Sequence, residues 1–228
     1  MKPLALVTGV GPGTGAAIAR SFADGGYRVA MLARDADRLQ ALAAEIPDSL
    51  ALPCDVSDPA ALAAAIDTAG APKVVVHNAV GGAFGGFRDI EPEVLERNFQ
   101  VNVMALLHLA RLTTPAMEAA GEGALIVTGN TSALRGKANF AGFAPTKAAQ
   151  RILAESLARD LGPKGVHVAY LVIDAVIDLA WTRERFKDVP DDFFIQPADI
   201  AGEVFHLAHQ PRTAWSFLSE VRPFRETW

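Results

Sequence analysis

Eight residues near the N-terminus, Thr8-Gly9-Val10-Gly11-Pro12-Gly13-Thr14-Gly15, separate a short apolar run from an Ala-rich amphipathic stretch. The order is strand, glycine loop, helix, and it leaves few folds open. Residues without a Cβ let the backbone approach a diphosphate, while a helix N-terminus offers unbonded N–H groups and a partial positive charge. Gly11, Gly13 and Ala16 fit the dinucleotide pattern G-x-G-x-x-G/A, and Thr8, Gly9, Gly13 and Gly15 fit T-G-x-x-x-G-x-G. A glycine-rich turn without a ligand is the competing interpretation. The strand before it and the helix after it favour a dinucleotide.

The rest of the chain repeats this alternation. Short apolar, β-branched runs at 3–8, 27–32, 49–53, 73–77, 124–128, 166–172 and 215–221 are separated by stretches of helical period at 14–24, 36–45, 59–69, 92–120, 145–161 and 197–209. The pattern predicts βαβ units in an α/β fold: a Rossmann-type, doubly wound parallel sheet of about seven strands with helices on both faces. At 228 residues the chain fits one domain, 1–228. Asp58-Pro59 reads as an N-cap followed by a first helical residue, and Gly162-Pro163 as a stop. The stretch 177–196, rich in charge and aromatics, breaks the alternation and is expected to be a loop on the substrate side of the site.

Composition contributes by exclusion. A formal charge of −5 gives no broad basic surface of the kind that gathers DNA or RNA, so no nucleic-acid partner is expected. The single cysteine, Cys54, and five scattered histidines offer neither an internal disulfide nor a metal-ligand spacing. This fits a reducing, cytoplasmic compartment and no metal. No apolar run approaches the roughly 20 residues that span a bilayer, so neither an anchor nor an export signal is expected.

The second strand ends at Leu32-Ala33-Arg34, where an NAD-selective site would place a carboxylate against the ribose 2′-hydroxyl. Arg34 can instead pair with a 2′-phosphate through charge-assisted bonds, which favours NADP(H) over NAD(H). The alternative is a solvated arginine beside Asp35 and Asp37.

Together these motifs resemble those of the short-chain dehydrogenase/reductase family. The resemblance is carried by the loop at Thr8 to Gly15, Asp55-Val56 after the third strand, His77-Asn78-Ala79 after the fourth, Asn102 within 92–120, and Lys147 in Phe143-Ala144-Pro145-Thr146-Lys147. It runs from Leu4 to near Leu161. It implies that Gly9, Gly11, Gly13, Thr14 and Gly15 cradle the cofactor, that Asp55 and Val56 contact the adenine, and that Asn78 and Ala79 line the adenosine side. Lys147 would hold the nicotinamide ribose, and Asn102 would support a water that hydrates the lysine. Ile173 and Val176 fall in the loop that the family keeps near the nicotinamide. Standing alone, Asp55 would be taken for a turn cap and Asn78 for a partner of loop backbone groups.

The departures fall on the chemistry. Phe143 stands where the family has tyrosine, and Asn130 stands thirteen positions earlier, where it has serine. Asn-Ala-Gly becomes Asn78-Ala79-Val80, and Pro-Gly becomes Ile173-Asp174. In this the chain is similar to a subgroup of the family that keeps the lysine and replaces the tyrosine by phenylalanine.

A positioned general acid contributes about 10²- to 10⁴-fold, so the lost phenol must be answered in the mechanism. Asn130 can polarise an oxygen but does not release a proton near neutral pH, and Thr131 or Ser132 could position a water. Lys147, one helical turn from Phe143, could donate if burial lowers its pKa. A substrate such as an iminium needs no acid at all, and a site that has lost catalysis needs none either. Two functions follow: an NADP-dependent oxidoreductase acting on a small or medium carbonyl-like molecule, or a nucleotide-binding sensor or partner subunit without turnover. The resemblance also implies a homodimer or homotetramer built through 98–120 and 145–161, with Val101, Ala105, Leu109, Leu112, Ile152, Leu153 and Leu157 as apolar candidates. The C-terminal Arg222 to Trp228 either reaches a neighbouring subunit or frays.

Overall fold

In the computed structural model, which describes residues 2–226, the glycine loop joins β1 (Leu4–Thr8) to α1 (Thr14–Asp24). There follow β2 (Arg28–Ala33), α2 (Ala36–Glu45), β3 (Ser49–Pro53), α3 (Pro59–Ala69), β4 (Val74–His77), α4 (Pro92–Phe99) and α5 (Ala105–Ala120). The chain continues through β5 (Gly123–Asn130), α6 (Ala144–Leu161), β6 (Val166–Ile173), β7 (Val176–Ile177), α7 (Ala180–Arg185), β8 (Phe194–Ile195), α8 (Pro197–Ala208) and β9 (Leu218–Val221). Seven strands form one parallel sheet in the order β3-β2-β1-β4-β5-β6-β9. This is the doubly wound sheet that the alternation predicts.

Strand pleating divides the core in two. Leu4 and Leu6 point to the face covered by α3, α5 and α6, against Leu62, Leu106 and Leu161. Ala5 and Val7 point to the face of α1, α2 and α8, against Ile18, Leu39 and Val204. Each large aliphatic side chain buried in this way contributes about 1.5–3 kcal/mol. The register aligns the strand ends that carry the site: Thr8 lies beside His77, Asn130 beside Ile173, and Ile173 beside Val221. Strand order reverses between β1 and β4, and a crevice opens outside the carboxyl ends at such a switch point.

Three local expectations are corrected. The helix expected over 92–120 is interrupted by a π-turn at Gln100–Met104. Gln150 of α6 donates to the Asn102 carbonyl at 2.7 Å, and a side chain competing for a helix carbonyl is a recognised cause of such bulges. The stretch 177–196 is not a plain loop: β7 and β8 pair in parallel, and the Thr182 hydroxyl organises the start of α7 by accepting from Leu179 N at 3.0 Å and donating to Ile177 O at 2.6 Å. The last strand begins at Leu218 rather than Trp215, because the Trp215 ring stacks on His167 at 4.9 Å instead of extending the ladder.

Of the apolar residues expected to serve two helix faces, Ala105 and Leu109 are buried against the sheet, while Leu112 and Ile152 are exposed. The C-terminal segment packs back on its own chain as far as Glu226, with Arg222 near Asp174 and Arg225 paired to Asp192 at 3.2 Å. Thr227 and Trp228 lie outside the described residues. No helix among the described residues is long and apolar enough to cross a membrane.

Phe22 shows how closely the second core layer is packed: it is fully buried, with Tyr27 and Phe205 ring centroids each 5.2 Å away. Phe22→Ala should lower the unfolding free energy by about 3–5 kcal/mol in chemical denaturation, without change in the denaturant slope.

Candidate active site

The glycines of the loop differ in what surrounds them. Gly9 has φ +69°, and a Cβ there would lie 2.5 Å from the Ala79 backbone. A Cβ on Gly15 would lie 2.5 Å from the Gly9 carbonyl oxygen. Both positions serve the chain's own close approach. Gly11 faces open space, and Gly13 lies under Leu179, whose Cδ2 would meet a Cβ at 2.2 Å. α1 carries no acidic residue in its first turn, so the positive end of its dipole is not offset locally.

A strap of polar bonds fixes the strand ends around this loop. The Thr8 hydroxyl accepts from Asn78 N at 3.2 Å and Ala79 N at 3.3 Å. The Asn78 amide donates to Gly9 O at 3.0 Å and accepts from the Thr128 hydroxyl at 3.0 Å. Asn78 thus satisfies loop backbone groups, while Ala79 lines the groove. Asp55 also shapes a turn. It accepts from Ser57 N at 2.9 Å and the Ser57 hydroxyl at 2.7 Å, bonds that hold its carboxyl below the usual range.

The groove itself encloses about 820 Å³ and is bordered by Gly9, Gly11, Arg34, Asp55, Val56 and Ala79. The backbone at Gly11 and the donor-rich helix end suit a diphosphate, and the Asp55 side suits a base and ribose. Arg34 makes no salt bridge among the described residues, whereas Arg38, which also borders the groove, is paired with Asp35 at 2.9 Å. Arg38 and Arg97 border the groove without having been expected from sequence; the helical spacing of Arg34 and Arg38 was the available signal for the first.

A second cavity, of about 780 Å³, lies beyond the loop after β4. Phe143, Asn130, Ile173 and Val176 line it. Ile173 and Val176 are therefore brought to this cavity rather than to the groove. Phe143 caps α6 and is buried, and Asn130 accepts from Ser132 N at 3.1 Å. Lys147 and Asn102 border neither space. The Lys147 ammonium turns inward, donating to Thr128 O at 3.2 Å and to the Gln150 side-chain oxygen, which also accepts from the Tyr170 hydroxyl at 3.3 Å. Asn102 accepts from Gly81 N at 2.9 Å and donates to Gly81 O and to the Thr146 hydroxyl, each at 2.8 Å.

Burial lowers the Lys147 pKa to about 7. The same desolvation, aided by the Lys147 charge, lowers His77 to about 3 and keeps its imidazole neutral. Gln150, Tyr170 and His77 were not anticipated as members of this cluster, although Gln150 stands at helical spacing from Lys147. Among the described residues no group of three or more His, Cys, Asp or Glu side chains could hold a metal ion.

The profile of the short chain dehydrogenase family matches residues 3–187. The chain belongs to this family. Among its relatives is a D-erythrulose reductase of Gallus gallus, 34% identical over 165 residues, which cover 72% of this chain and 67% of that one. A metagenomic short-chain oxidoreductase in complex with NADP is 31% identical with a TM-score of 0.84, covering 97% of each chain. A 3-ketoacyl-(acyl-carrier-protein) reductase from Brucella melitensis, complexed with NADH, is 26% identical with a TM-score of 0.88, covering 98% of each chain. Of these two neighbours, one holds NADP and the other NADH.

The buried lysine of this short-chain dehydrogenase makes a pH prediction. Its pKa is about 7 in the fold and about 10.4 in an unfolded chain. Between these values the unfolded chain holds a proton that the folded chain has released, so stability rises with pH across the window. Wild type should gain stability relative to Lys147→Met between about pH 7 and pH 10 in denaturant titrations. A difference that does not vary with pH would contradict the assignment.

Proposed function

We propose that this chain is an oxidoreductase that transfers a hydride between NADP(H) and a small or medium carbonyl-like substrate. The observation that carries the reading is the open backbone at Gly11, set beside the undischarged end of α1 in a groove that ends at Arg34. Gly9, Gly11, Gly13, Thr14 and Gly15 would hold the diphosphate, Asp55, Val56, Asn78 and Ala79 the adenosine half, and Ile173 and Val176 the nicotinamide end. Arg34, with Arg38 four residues on, would pair a 2′-phosphate. When bound, the coenzyme supplies or accepts the hydride; the chain's own residues bind, orient and keep water out.

The atypical residues fit the subgroup with phenylalanine in place of tyrosine. Phe143 offers the substrate an apolar wall, Asn130 a polar edge, and Lys147 with Asn102 a rigid support behind them. We take 1–228 as one domain, with 177–196 closing the substrate side and a homodimer or homotetramer formed across the faces bearing Leu112 and Ile152. One observation favours the second reading, a nucleotide-binding protein without turnover: the Lys147 ammonium is committed to Gln150 and Thr128 and borders neither cavity.

Fluorescence titration with both reduced coenzymes tests the nucleotide site. Wild type should bind NADPH more tightly than NADH, and Arg34→Ala should lose about 10- to 100-fold for NADPH alone. Gly11→Ala should leave the melting temperature unchanged, since nothing lies within 4 Å, yet weaken both coenzymes. No saturable signal with either coenzyme would reject the reading. A hydride-transfer screen of wild type beside Phe143→Tyr separates the two functions: turnover by wild type supports the enzyme, and turnover confined to the tyrosine variant supports the binding protein.

A further inference from the structure

We infer that the cavity beside Phe143 receives a cationic C=N compound with a flat apolar body, and that Asp174 recognises its charge. The inference rests on the oxidoreductase reading and names its substrate class.

The first observation is the lack of a buried, positioned acid where a carbonyl would need one. Phe143 has no exchangeable proton, and Lys147 is turned away into its own cluster. The Thr131 and Ser132 hydroxyls line the cavity but hold their protons near neutral pH. The one lysine in the lining, Lys137, stands exposed, so an alkoxide built by hydride addition to a carbonyl meets neither a phenol nor a buried ammonium in this cavity.

The second is a carboxylate in the same lining. Asp174 follows the last residue of β6, its side chain is only 13% exposed, and it opens into the cavity. Arg222 Nε lies 3.9 Å from it, but the same guanidinium also pairs with Glu220, so two carboxylates share one cation. A carboxylate facing apolar walls disfavours a developing alkoxide and favours a cation.

The third is the walls themselves. Phe84 meets Phe140 at 5.3 Å and Phe143 at 6.5 Å, and Trp181 and Phe186 line the cavity with them. Phe84 is 70% and Trp181 60% exposed, so aromatic faces are open to a ligand. Ring faces attract cations. Lys137 and Arg185 also border the cavity, but both are exposed to solvent screening, and Glu226 offsets part of their charge.

The step balances without an enzyme acid. One hydride, supplied by a reduced nicotinamide dinucleotide, forms the new C–H bond at the iminium carbon. The C=N π pair becomes the nitrogen lone pair, and the nicotinamide is oxidised. The positive charge passes from substrate to coenzyme, so Asp174 faces the same net charge before and after.

The test uses an N-methyl dihydroisoquinolinium salt, its tertiary amine product and the neutral ketone tetralone. With NADPH, wild type should consume the cation with a kcat/KM at least about tenfold above the ketone's, and Asp174→Asn should lose about tenfold for the cation, chiefly through KM. Without any nucleotide, the protonated amine should quench Trp181 fluorescence, more weakly in Asp174→Asn and at high salt, and not in Trp181→Phe. Reduction of the ketone but not of the cation overturns this inference and leaves the oxidoreductase standing. Bound coenzyme with neither substrate consumed overturns both. If Asp174→Asn does not fold, Asp174→Glu and the salt dependence decide: amine binding by wild type that ignores salt overturns the assignment to Asp174.

Discussion

The contact between the turn after β1 and the turn after β4 governs the site. Gly9 presses its α-carbon against the Ala79 backbone so closely that no side chain fits, and its positive φ suits only glycine without strain. Parallel strands whose connections leave in opposite directions would otherwise splay at their carboxyl ends. Here Thr8, Asn78 and Thr128 tie three of those ends into one polar strap, and Gly9 and Ala79 beside it border the groove. A bulkier residue at Gly9 would damage the crevice before touching any ligand.

Behind the groove, polarity has moved from the working surface into the interior. Lys147, Gln150, Tyr170, Asn102 and Thr146 bond to one another or to backbone, joining the π-turn before α5 to α6, β5 and β6. An isolated buried ammonium would be costly, and its acceptors together with its lowered pKa offset that cost. Phe143, one turn before Lys147 on α6, presents only carbon to the second cavity. The site thus combines a closed polar support with an open aromatic surface, an arrangement suited to a substrate that brings its own charge.

The segment between β6 and α8 joins the two spaces. Its β7–β8 pairing and the Asp178 clasp to Arg183 and Gln196, which holds that carboxyl at about 2, give it a defined shape. Leu179 rests on Gly13 and Trp181 stands over the second cavity. Movement of this one segment would therefore be felt at both the glycine loop and the second cavity.

The order of the elements, the parallel sheet and the place of the glycine loop were legible in the residues alone, because helix and strand periods and glycine punctuation are local properties. Asn130 and Phe143 were singled out there by identity and spacing; that both line one cavity came from the fold. The direction of Lys147, the π-turn at Asn102, the division of labour among Gly9, Gly11, Gly13 and Gly15, and the meeting of Asp174 with five aromatic rings were not legible there. Each depends on partners distant in the chain: Gln150 for the π-turn, the Thr128 carbonyl for the lysine, Ala79 and Leu179 for the glycines, the β6 end and α7 for the cavity. Local pattern sets which element a residue joins. Packing of separate elements decides what its side chain meets.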